Sequence, residues 1–190
     1  VTEYRKPLTA ALTNYNRQEV NLALEPYKEK NGLPNYGNLL SIYERLPGMM
    51  KRDYNGTLAM IVVALTKAFE AMNLSRPMNN DQIIELGETI LESSNEDILA
   101  LEDVVLFLQC LVRGKYGPLY ESMDIPKFMD KFEIYRNERY QTLMRHRLDE
   151  SDRMDALGDS NRFCWDNDFN KDVHRNALKD YLQKNYKAND

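Results

Sequence analysis

Two cysteines, two histidines, one tryptophan, eight glycines and seven prolines are all that 190 residues supply of these types. Cys110 and Cys164 form no CxxC pair, so no disulfide framework is expected. A zinc site would need about four ligands, and the histidines add little to that count. Cys110 sits in an apolar stretch, where a thiol behaves as a small hydrophobe. Long apolar runs are also missing. The longest, Leu58 to Leu65, is eight residues, against the roughly 20 that a bilayer-crossing helix needs, so no membrane association is expected. No charged-then-apolar leader opens the chain, although it begins on Val1, and the expected localisation is cytoplasmic.

What is present favours helix. Hydrophobic residues make up 43% and charged residues 29%, a globular balance. Leu, Met, Glu, Lys, Gln and Ala recur, and few Gly and Pro punctuate them. The expected fold class is all-α, a single helical domain of five to seven helices with a C-terminal tail that carries aromatics and a helix. Residues 1–149 read as the helical domain and residues 150–190 as a linker and tail. The net charge of −5 is unevenly spread. Asp81 to Asp103 holds eight acidic residues and no basic one, whereas Arg113 to Arg147 holds eight basic against five acidic. A bulk nucleic-acid binder is usually basic overall, which leaves only a local patch for that role.

The first 34 residues carry a weak signal, a short helix after Pro7 through Leu8, Ala11, Leu12 and Tyr15. Leu39, Ile42, Tyr43 and Leu46 have helical spacing, and Pro47-Gly48 reads as their end. Tyr15, Tyr27, Tyr36, Tyr43 and Tyr54 offer two readings, a ligand-binding aromatic wall or ordinary packing with hydroxyls at the surface. Asn55-Gly56 reads as a turn with Thr57 as the N-cap of a helix to Met72. Asn79 or Asn80 caps the next helix, from Asp81 to about Glu92, whose Ile83, Ile84, Leu86, Ile90 and Leu91 face inward and whose Glu85, Glu88 and Glu92 form an outer acidic stripe. That stripe is a solvated face or a partner-binding face. Ser93-Ser94-Asn95 reads as a break.

The stretch from Leu99 to Arg113 is apolar nearly all round, and such a helix is buried by several neighbours. Gly114 is placed to end it in a left-handed conformation. Asp124 and Pro126 suit the start of a long helix with Phe128, Met129, Phe132 and Tyr135 inward. Arg139 shares the face of Tyr135. It is expensive to bury alone, so it pairs with Glu102 or Asp103, lies at the core edge, or lines a pocket with Tyr135. After Asp149 the chain turns acidic and reads as a linker or wrap, interrupted by Phe163, Trp165 and Phe169. Those aromatics either anchor the tail on the helical body or are candidate partner contacts, and an oligomer formed through the tail is one way to cover them. A last amphipathic helix is expected from Asn170 to Tyr186.

Searches for chemistry return little. Asp166 to Asn170 resembles the opening of a calcium loop, but Lys171 and Ala177 stand where Gly and Glu are required. There is no phosphate-binding GxxxxGK[ST], no GxGxxG and no HExxH, and His146 and His174 lack nucleophiles at motif spacing. No cofactor, metal or catalytic residue is expected. The basic stretch remains, with Lys115, Tyr116, Lys127, Lys131, Arg136, Arg145 and Arg147 as candidate contacts to nucleic acid or a partner. Asp130, Glu133 and Glu138 alternate with these charges, as on any exposed helix.

Met78-Asn79-Asn80-Asp81-Gln82-Ile83, Leu101-Glu102-Asp103, Gly114-Lys115-Tyr116-Gly117, Met123-Asp124 and Tyr135-Arg136-Asn137-Glu138-Arg139 follow one another in a recognisable order. This order is similar to a family of small uncharacterised helical proteins of anaerobic gut bacteria and their phages and mobile elements. The similarity is limited to residues 78–139. It implies two helices joined by a Gly-bounded corner and, from the company such proteins keep, a role in the element's DNA replication or maintenance. The leading expectation is a non-enzymatic interaction protein with a protein partner. The alternatives are direct nucleic-acid binding through the Lys115 to Arg147 surface and an enzyme with an unfamiliar site.

Overall fold

The computed structural model describes residues 8–117 and 122–165, with side chains through residue 154. Among these residues the protein is all-α, with no strand beyond two isolated bridges. It divides into two compact units, residues 1–143 and residues 144–190. The helices are α1 (Leu8–Thr13), α2 (Arg17–Leu24), α3 (Tyr36–Leu40), α4 (Leu46–Arg52), α5 (Tyr54–Met72), α6 (Asn80–Asp97), α7 (Leu101–Val112) and α8 (Ile125–Trp165). Among the described residues eight helices exceed the expected five to seven because residues 8–52 form four short ones, interrupted at Asn16, at Pro26, Pro34 and Asn35, and over residues 41–45.

In the first unit α5 packs against α1, α4, α6 and α7. It has the length and composition of a membrane-crossing helix, yet Ile61 and Leu65 are fully buried within the helical body. α7 is buried almost all round, as its sequence predicts. Phe107 at its centre meets Tyr116, Phe128, Phe132 and Tyr135 at ring-centroid distances of 5.3, 5.3, 4.9 and 5.6 Å. Such pairs add about 0.5–1.5 kcal/mol each beyond the area they bury.

A buried polar network sits beside this cluster. Asp103 has no solvent exposure. Its carboxylate accepts from Ala100 N at 2.9 Å, Tyr135 Oη at 2.7 Å and Arg139 Nε at 3.0 Å, with Arg45 Nη1 at 3.9 Å. The Ala100 bond satisfies an orphan donor at the start of α7. Arg139 also donates to the carbonyls of Asp97 and Ile98 at the end of α6. Arg45 donates to the carbonyls of Leu39 and Leu40 at the end of α3. Of the two acids expected to pair with Arg139, the partner is therefore Asp103.

Several local expectations hold. Asn79 and Gln82 make a reciprocal capping box at α6, Asp124 Oδ1 accepts from Lys127 N, and Gly114 is left-handed at φ +79°. Others are corrected. Pro47-Gly48 opens α4, because Pro is accommodated in a first turn, and α3 has already ended at Leu40. Asn55-Gly56 lies inside the first turn of α5, since Asp53 caps that helix by accepting from Gly56 N at 2.9 Å. Thr57 is instead buried, its hydroxyl donating to Asp53 O. Ser93 and Ser94 do not break α6. Their hydroxyls donate back to the carbonyls of Ile90 and Leu91, and the helix runs on to Asp97.

In the second unit the chain from Met144 is helical to Trp165, so the stretch after Asp149 is helical and not extended up to that point. Gly158 alone does not end the helix, at a cost of only about 1 kcal/mol relative to Ala. Phe163 and Trp165 fall in its last turn. Phe169 and the expected helix from Asn170 to Tyr186 lie outside the described residues.

Two stability predictions follow from the buried network. Asp103→Leu is expected to cost about 3–5 kcal/mol in urea unfolding, because it strands the Arg139 charge in the interior, whereas Asp103→Leu with Arg139→Met recovers most of that loss. Glu102 is the second. Burial raises its carboxyl above its ordinary value, with Asp103 adding repulsion and Arg45 in part offsetting it. A raised folded pKa stabilises the fold below the unfolded value of 4.5, and that contribution is lost as pH rises through the folded value. Glu102→Gln is therefore expected to raise Tm near neutral pH, with the gain closing below pH 4.5. Thermal melts across this range check it.

Candidate functional site

α1, α2, α5 and α7 leave a groove of about 450 Å³ between them, entirely within the first unit. α5 contributes Ala64, Lys67, Ala68 and Ala71, and α7 contributes Val105, Leu108, Gln109 and Val112. Both sets are spaced i, i+3, i+4, i+7, the period that places residues on one helix face. α2 adds Arg17, Val20 and Asn21, and α1 adds Leu12 and, just after it, Tyr15. The floor is apolar, the alanines of α5 leave the room, and the rim is polar.

The turn between α1 and α2 shapes one end. Tyr15 is left-handed at φ +26°, and Asn16 then caps α2 by accepting from Gln18 N and Glu19 N. Lys67 Nζ lies 5.6 Å from the Tyr15 ring centroid and bonds Glu70 Oε2 at 2.8 Å. That bond holds the exposed Lys67 ammonium above its ordinary pKa. Arg17 and Arg113 have no acidic partner among the described residues. Arg113 Nη1 donates to Gly32 O at 3.1 Å. Gly32 is left-handed at φ +75°, and a Cβ there would lie 2.4 Å from Arg113 Nη1. Burial holds the nearby Lys28 ammonium below its ordinary value, with Arg113 adding repulsion against the attraction of Glu25. Gln109 Nε2 donates to Asn21 Oδ1 at 3.1 Å, while its buried Oε1 accepts no hydrogen bond among the described residues.

The basic stretch is used differently from its sequence appearance. Tyr116 is buried against Phe107. Lys115 bonds Glu138 Oε2 at 2.5 Å, lies 5.0 Å from the Tyr116 ring centroid, and shares that carboxylate with the Tyr36 hydroxyl, also at 2.5 Å. Burial and the Glu138 carboxylate push the Tyr36 phenol well above its ordinary pKa. Lys131 donates to Tyr116 O at 2.7 Å, and Lys127 pairs with Asp124. Arg136 bonds Asp97, Glu96 and Glu133. Arg145 and Arg147, in the second unit, are exposed and have no acidic partner among the described residues. Five of the seven candidates thus build the fold's own contacts.

The tyrosines do not assemble into a wall. Tyr15 lines the groove, Tyr36 packs on Tyr135 with centroids 5.5 Å apart, and Tyr43 is fully exposed. Glu85, Glu88 and Glu92 are exposed on α6, and so is Ile84, which was expected on its inner face but falls beside the acidic stripe. Among the described residues no three His, Cys, Asp or Glu side chains gather as a metal site. The groove residues were missed by sequence reasoning. Their one signal was the Val105, Leu108, Val112 face of α7, which is also the spacing of a core face. Val112 is 37% exposed, and that exposure is what separates the two readings. Comparison with protein families, with curated proteins and with solved structures finds no match to this chain.

Proposed function

We propose that this chain is a non-enzymatic helical interaction protein, an accessory factor in the DNA replication or maintenance of a phage or mobile element, which docks a protein partner in the α1–α2–α5–α7 groove. The observation that carries the docking half is the groove itself, an apolar floor with a polar rim formed by faces of three helices and the α1 turn. That composition matches surfaces that bind partner helices. The replication half rests on the resemblance of residues 78–139 alone. A photo-crosslinking side chain at Ala71 is expected to trap a protein partner in the host cell, and Val112→Asp in the same chain to abolish the adduct. An equal yield from a crosslinker at Glu88 on α6, or an adduct that survives Val112→Asp, rejects the groove as the docking face.

Direct nucleic-acid binding is the second reading, favoured by the unpaired, exposed Arg145 and Arg147. It predicts a salt-sensitive gel shift that Arg145→Glu with Arg147→Glu removes. The absence of a shift at low salt excludes it.

A further inference from the structure

We infer that the groove receives an amphipathic helix of a partner protein, about two turns deep in contact and acidic along its edges. The inference rests on the docking reading above and names the partner's chemistry. The facing stripes of α5 and α7 each run eight residues, seven rises from end to end, from Ala64 to Ala71 and from Val105 to Val112. At 1.5 Å per residue each stripe is about 10 Å long, or two helical turns. A groove of that length accepts apolar side chains at i, i+4 and i+7 of an incoming helix.

Charge selects among such helices. The chain carries a net −5, yet the groove rim presents Arg17, Lys67 and Arg113 against Glu70 alone. Glu70 is already bonded to Lys67. Among the described residues the two arginines thus have no carboxylate of their own and can meet one that lies in the groove, one from α2 and one at the C-cap of α7. Arg113 is held in place by the Gly32 carbonyl, so less of its freedom is lost when it meets a carboxylate. Gln109 and Asn21 add amide groups at the wall for hydrogen bonds.

The test uses the full chain and two fluorescein-labelled 15-residue helical peptides, read by anisotropy. Both carry Leu at i, i+4 and i+7, and one is flanked by Glu where the other has Lys. The acidic peptide is expected to bind roughly tenfold tighter at low salt, with the gap narrowing as salt is added. Arg17→Glu with Arg113→Glu is expected to invert the preference. Both positions are exposed, and an unchanged melting curve confirms that the variant folds. Equal affinities, a preference for the Lys peptide, or no binding of either overturns the inference. So does concentration-dependent dimerisation abolished by Val112→Asp, which assigns the groove to a second copy. Displacement of the peptide by decanoate at lower concentration assigns it to a small amphiphilic anion and overturns the inference too. If Val112→Asp removes the crosslinked partner while the peptides show no charge preference, docking stands and only the acidic helix falls.

Discussion

The Asp103 carboxylate, fully buried and bonded to Ala100, Tyr135 and Arg139, fixes most of what surrounds it. It caps the start of α7 from within and holds a cation that reaches back to the end of α6. Arg45, 3.9 Å away, extends the same network to the end of α3. Three helix termini thus converge on one carboxylate, and each brings orphan donors or carbonyls that need partners. Beside it, Leu46 N donates to Leu99 O at 2.8 Å, closing the corner between the α4 start and the α6–α7 connection. With its N-terminus held in this way, α7 presents one face to the aromatic cluster of α8 and another to the groove.

The same network explains a local oddity. Ile98 is left-handed at φ +51° and 57% exposed, a conformation that costs a non-glycine residue roughly 1–2 kcal/mol. The αL geometry lets Leu99 N reach back to Ser94 O at 3.4 Å and turns the last carbonyls of α6 toward Arg139. The end of α5 solves the equivalent problem with Asn73, a residue that tolerates φ +50° at lower cost. The strain at Ile98 is offset by charge-assisted hydrogen bonds that only a buried arginine supplies.

Much of the fold was legible in the sequence where a local rule had no competitor. The apolar circumference of α7 predicted its burial, Asn79 or Asn80 was the expected cap of α6, and Arg139 had Asp103 among its expected partners. Pro47-Gly48, Asn55-Gly56 and Ser93-Ser94-Asn95 misled because each is compatible with a helix interior or first turn once a neighbouring cap is in place. The pairing of Arg136 with Asp97 and of Lys115 with Glu138 spans 39 and 23 residues. No local pattern distinguishes such charges from free ones. The candidate site was hidden for a related reason. Its floor is made of Ala and Val at core-like spacing, and only the packing of four helices decides that this face has no fifth neighbour among the described residues.

Gly32 gives the groove an unexpected address. It lies in a loop closed by Glu29 and Leu33 and lines no part of the groove, yet its carbonyl anchors Arg113 and its missing side chain makes room for that guanidinium. A single methyl group at position 32 would lie 2.4 Å from Arg113 Nη1 and force that side-chain end to shift, while adding no atom to the groove itself. The position of a rim charge is therefore set from a distance, by a residue outside the groove's own lining.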